Sequence, residues 1–84
     1  MTGVYLLHFS SKYKHAAHYI GWAKKIDKRI QHHQHGTGAR LCAVVIAAGI
    51  EIIKARVWEG KDKTFERRLK NYKSASDLCP ICNP

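Results

Sequence analysis

Two tyrosines in this chain each lie two residues from a glycine, in the segments Gly3-Val4-Tyr5 and Tyr19-Ile20-Gly21. Glycine lets backbone or a ligand approach closely. If the two segments pair as strands, both phenols can face one site; taken singly, such tyrosines serve equally well in the core or rim of a small sheet. Arg29 follows Tyr19 by ten positions and His33 follows Arg29 by four, so on a helix Arg29 and His33 share a face one turn apart. An arginine grips phosphate oxygens bidentately and keeps its charge, and a histidine can hold, donate or relay a proton near neutral pH. Glu66 is one of six acids, set among Arg67, Arg68 and Lys70 and beside the apolar Phe65 and Leu69. Its carboxylate is a hard oxygen ligand suited to Mg²⁺ or Mn²⁺. The plainer role is an i,i+4 ion pair with Lys70, worth about 0.2–0.5 kcal/mol.

Those side chains need elements to position them. Gly3 to Phe9 is β-branched, aromatic and apolar throughout and reads as a buried strand. Ser10 to Lys14 is polar and reads as the turn into a second strand, Ala16 to Gly21, giving an antiparallel hairpin. Residues 22 to 34 read as a helix with Trp22, Ala23, Ile26 and Ile30 along one stripe, ended by Gly36-Thr37-Gly38. Ala39 to Ala48 fits either a strand or a buried helix by pattern; its alanines, and Gly49 as a C-terminal stop, favour helix. Ile50 to Trp58 reads as a third strand, and Glu59-Gly60-Lys61 as a turn. Asp62 to Tyr72 reads as the last helix, capped by Asp62 with Phe65, Leu69 and Tyr72 as its apolar stripe. Ser74 to Pro84 carries no periodicity and reads as a tail, so residues 1–84 form one domain with its core over 3–73.

The order of these features resembles the GIY-YIG nuclease superfamily: Gly-x-Tyr, then Tyr-Ile-Gly, an arginine, a histidine four residues on and a glutamate on a later helix. The likeness spans Gly3 to about Tyr72. Tyr19-Ile20-Gly21 matches literally, whereas Val4 stands where isoleucine gives the family its name. The run Arg29 to His33 followed by Gly36-Thr37-Gly38-Ala39 is similar to the family's helix-to-loop segment. The resemblance implies an α+β fold, a three-stranded antiparallel sheet flanked by helices in the order β-β-α-α-β-α, with Ala39 to Ala48 helical. It implies Tyr5 and Tyr19 as the motif tyrosines, Arg29 as the phosphate-binding arginine, His33 in the position filled by His or Tyr, and Glu66 as the metal ligand. An asparagine well after that glutamate is common in the family; Asn83 fits better than Asn71, which is only five residues on. The implied activity is a metal-dependent DNA endonuclease with one Mg²⁺ or Mn²⁺ per active site; members serve in DNA repair, restriction, intron homing and junction resolution, and the choice among these roles stays open. Which tyrosine acts as base stays open.

Charge points the same way. Lys and Arg total 15 against 6 Asp and Glu, a formal net charge of +9 in 84 residues. That excess favours a polyanionic partner, DNA above all. Lys24, Lys25, Lys28, Arg40 and Arg67 are the leading candidates for flanking phosphates, with Lys12, Lys14, Lys54, Arg56 and Arg68 behind them. No separate recognition domain is visible, so either specificity is low or it would come from substrate shape, a homodimer or a partner protein. The longest apolar run, Leu41 to Ile50, is half of what a membrane span needs, and Met1 to Ser10 lacks signal-peptide features; a cytoplasmic chain is expected. An odd count of three cysteines argues against a disulfide framework. Cys79-Pro80-Ile81-Cys82 is a lone CxxC; a zinc site would need two more ligands, and the histidines lie far back in sequence. The rival readings are a non-catalytic nucleic-acid-binding module of the same fold, and a small basic interaction protein with zinc at Cys79 and Cys82.

Overall fold

The computed structural model describes residues 1–72 and 75–82. It is an α+β fold: β1 (Gly3–Tyr13), β2 (Ala16–Ala23), α1 (Ile26–Gln34), α2 (Arg40–Ala47), β3 (Ile52–Glu59), α3 (Lys63–Asn71) and a one-turn α4 (Ala75–Leu78). The three strands form one antiparallel sheet in the order β2-β1-β3, with β1 in the centre. This is the expected β-β-α-α-β-α order, with α4 appended.

The apolar run at the start of β1 follows from its central place. Alternate side chains of a strand point to opposite faces, and here both faces are covered. Tyr5, Leu7 and Phe9 pack on one face against Ile26 and Ile30 of α1, Cys42 and Val45 of α2, and Ile52. Val4 and Leu6 pack on the other with Ile20 and Cys79, surrounded by Trp22, Trp58, Phe65, Leu69 and Leu78.

Several boundaries differ from the sequence expectation, each for a physical reason. β1 runs past its apolar stretch because Tyr13 still pairs with Ala16 of β2, and Ser10 is tied to the residue just before β3. The Ser10 N–H donates to Glu51 O, and its Oγ accepts from Glu51 N–H, both at 2.9 Å. The turn is therefore tighter, at Lys14 and His15, with Lys14 at φ 57°. Trp22 and Ala23 belong to β2 rather than α1: Trp22 pairs with Val4, and its indole N–H donates to Lys61 O at 3.1 Å. Trp22 thereby lies on the α3 face of the sheet, and the inward stripe of α1 is Ile26, Ile30 and His33.

The helix stops behave as their residues dictate. Gly49 adopts φ +79° and donates its N–H to Ile46 O at 2.9 Å, ending α2. Asp62 caps α3 by accepting from Phe65 N–H at 3.0 Å. Tyr72 leaves the expected stripe because it is the C-cap, with extended backbone, and its ring is exposed. The segment expected to be a featureless tail holds α4 and places Cys79 fully in the second core cluster. Among the described residues, no helix is long and apolar enough to cross a membrane.

Candidate active site

Tyr5 lies on the central strand, directly opposite Gly21 on β2, and its ring passes over that glycine. A Cβ on Gly21 would collide with Tyr5 Oη and lie 2.6 Å from its Cζ. The missing side chain is thus what lets the phenol cross β2 toward α1. There Tyr5 Oη and His33 Nε2 form a buried hydrogen bond of 2.7 Å.

His33 is held from its other side by the loop after α1. The helix closes with Gly36 at φ +77°, and the chain turns back so that Ala39 N–H donates to His33 Nδ1 at 3.2 Å. Gly38 leaves room for this ring: a Cβ there would collide with Nδ1 and lie 2.7 Å from Cε1. These contacts decide the tautomer. A backbone N–H only donates, so Nδ1 must carry a free lone pair, and the proton of the neutral ring sits on Nε2. Nε2–H therefore donates to Tyr5 Oη, and the phenol's own hydrogen is free to point elsewhere.

Tyr19 completes an aromatic group, its ring centroid 6.3 Å from that of Tyr5 and 5.1 Å from that of His33. α3 packs on the opposite face of the sheet, and its Lys70 Nζ lies 5.9 Å from the centre of the Tyr19 ring. Glu66 pairs with Lys70 at 3.6 Å and has a side chain only 20% exposed. Arg29, on α1, is exposed. Both charges reach both phenols. Burial, then the Tyr19 hydroxyl, pushes the Tyr5 phenol well above its usual value; Arg29 opposes the rise, and Cys42 and Glu66 add to it. Burial also raises Tyr19, helped by Cys42 and Glu66 and opposed by Arg29. His33 is lowered by burial first, then by the positive Arg29 and by His32. Tyr5, Tyr19 and His33 thus form one aromatic group, in which Arg29 biases all three and Glu66 the two phenols.

Arg29 also opens onto a cleft of about 250 Å³ lined by Ala23, Lys24, Lys25, Lys28, Arg29 and His32. Lys24, Lys25 and Lys28 therefore share one basic groove with the arginine. Arg40, at the start of α2, and Arg67, on α3, are exposed outside that groove. Lys54 is turned toward Asp27 at 3.9 Å, and Arg56 lies over the Trp58 ring at 4.8 Å. Asn83 lies outside the described residues. Chemically, Glu66 fits a hard divalent cation: it is a partly accessible carboxylate, and Mg²⁺ commonly takes one or two carboxylates and completes its shell with water. Lys70 is its competitor for that carboxylate.

A second group was not foreseen as a group. His8 on β1 and His18 on β2 are register partners, and the CxxC segment folds back to place Cys79 and Cys82 beside them. The signal was in the sequence: two histidines nearly symmetric about a short turn. It became readable only with the turn fixed at Lys14 and His15, because a strand slip of one residue would send one ring to the other face.

No family model matches the chain, and neither a curated protein nor a solved structure is found similar to it.

Proposed function

We propose that this protein is a metal-dependent DNA endonuclease of the GIY-YIG type, hydrolysing phosphodiester bonds one strand per site. The observation that carries the reading is the buried Tyr5–His33 hydrogen bond, with an arginine and a carboxylate near enough to bias both phenols. A guanidinium, a positioned phenol and a hard oxygen ligand are the parts that in-line attack on a phosphodiester needs.

Arg29, at the mouth of the basic cleft, binds the non-bridging oxygens of the scissile phosphate and neutralises charge that grows in the transition state. A tyrosine that has first lost its own proton to solvent takes, as phenolate, the proton from the attacking water. His33 is a positioning residue: with Nδ1 occupied by Ala39 N–H and Nε2 already protonated, it has no lone pair with which to accept the phenol's proton. Its Nε2–H instead fixes the direction of the Tyr5 hydroxyl and stabilises the phenolate once formed. Glu66 would hold Mg²⁺ or Mn²⁺, which when bound supplies Lewis-acid polarisation of the phosphate and the leaving oxygen. Lys24, Lys25 and Lys28, with Arg40 and Arg67 farther out, engage flanking phosphates and position the duplex without reading its sequence. A double-strand break or sequence specificity would then require a second copy or a partner protein.

Nicking of supercoiled plasmid in Mg²⁺ or Mn²⁺ tests this reading. The wild type nicks, and Arg29→Ala and Glu66→Gln each lose about 100-fold or more in rate. Wild-type protein that binds DNA but nicks in neither metal would instead make this a binding module.

A further inference from the structure

We propose that His8, His18, Cys79 and Cys82 form a structural Zn²⁺ site that fastens the C-terminal segment to the β1–β2 hairpin. The four potential ligand atoms all lie within 4.8 Å of one another. His8 Nδ1 is 3.3 Å from His18 Nε2, 3.5 Å from Cys79 Sγ and 3.5 Å from Cys82 Sγ, and Cys82 Sγ is 3.4 Å from His18 Nε2.

Hydrogen bonding alone does not account for this packing. A ring nitrogen has one lone pair or one proton, yet His8 Nδ1 has three such neighbours. A shared central cation does account for it. With Zn–N near 2.0–2.1 Å and Zn–S near 2.3 Å, a regular tetrahedron has N···N edges of about 3.3 Å and N···S edges of about 3.5 Å. The observed spacings agree with both.

The donor set selects the metal. Two imidazoles and two thiolates in a tetrahedron suit Zn²⁺ and do not suit Mg²⁺ or Ca²⁺. Four protein ligands leave no open position for substrate, which makes the site structural rather than catalytic. It is also separate from the tyrosine site: Cys79 packs with Val4, Leu6 and Ile20 on the other face of the sheet from Tyr5.

The clamp has a mechanical use. An 84-residue chain has little core, and small domains commonly rely on metals or disulfides. The cluster joined by Cys79 also holds Phe65 and Leu69, the α3 residues that flank Glu66. Fixing Cys79 and Cys82 to the hairpin therefore supports the helix that presents the carboxylate.

The test is elemental analysis of untagged protein, purified under reducing conditions from zinc-supplemented cells and dialysed against metal-free buffer. About one zinc per chain is expected, falling to near zero in the Cys79→Ser/Cys82→Ser double variant. Replacing zinc with Co²⁺ in the wild type should give the visible absorption of a tetrahedral, thiolate-bound ion. This arm holds even if the double variant folds poorly. Chelation should lower the melting temperature, and added Zn²⁺ should restore it. Zinc-free wild type with no Co²⁺ spectrum, a Cys79–Cys82 disulfide in the reduced preparation, or zinc retained by the double variant would each overturn the proposal. None of these readouts involves DNA, so the clamp and the nuclease reading stand or fall separately.

Discussion

Replacing Gly21 by alanine places one methyl group where the Tyr5 ring now runs. The added Cβ would lie 2.6 Å from Tyr5 Cζ and 3.0 Å from Tyr19 Cε1, whereas ordinary contact begins at 3.4 Å. The Tyr5 ring must retreat by about 0.8 Å, enough to stretch its 2.7 Å bond to His33 past the range of good hydrogen bonds, about 3.2 Å. Overpacking of this kind costs about 1–3 kcal/mol in stability. Displacing a reacting group by about 1 Å costs on the order of 100-fold in rate. Urea unfolding and single-turnover cleavage of a labelled duplex read the two effects. Gly60→Ala is the control: Gly60 has φ +80° and no atom near its added Cβ, so strain of about 1–2 kcal/mol arises away from the phenols. Gly60→Ala should lose stability and keep its rate, whereas Gly21→Ala should lose both. Wild-type cleavage by Gly21→Ala would refute a role for Tyr5 placement.

The remaining predictions concern protons and salt. Burial raises both phenols, so the fraction of tyrosinate climbs through the alkaline range; single-turnover rate should rise about tenfold per pH unit from ~6.5 to ~9. A rate that is flat across that window contradicts a tyrosine base. His33 is lowered by burial, Arg29 and His32, so the fold favours its neutral form. That contribution to stability is intact above pH ~6.5, the unfolded value, and is lost as pH falls from there toward the lower folded value. His33→Gln should flatten this acid limb of the urea midpoint; an unchanged limb would mean that His33 is not held neutral. Replacing Lys24, Lys25 and Lys28 together by glutamine should reduce the slope of log K against log salt for duplex binding by about 2–3. A slope equal to the wild type's would remove the groove from the interface.

How much was legible beforehand depended on whether the signal was local. α3 announced itself through Asp62, Phe65 and Leu69, and α2 through its alanines and Gly49, because caps and periodicity act within a few residues. Trp22 was misplaced because its spacing to Ile26 imitates a helical stripe; only pairing with Val4, distant in sequence, shows it to be strand. Tyr5, Tyr19 and His33, which meet in one aromatic group, could be picked out by type and order. The roles of Gly38 and Ala39 could not, since they depend on a loop folding back onto the His33 ring. The same holds for the His8, His18, Cys79 and Cys82 group, whose members come from three separate segments and meet only through strand register and the path of the chain after α3.

The measurement closest to the central claim is a divalent-ion titration of strand scission, run on wild type beside Tyr5→Phe at equal DNA occupancy. The expected result is cleavage that appears only as Mg²⁺ or Mn²⁺ is added and saturates in the wild type, with Tyr5→Phe bound to the same DNA and nearly inert. Cleavage that persists in Tyr5→Phe at the wild-type rate, or that needs no divalent ion, would contradict it.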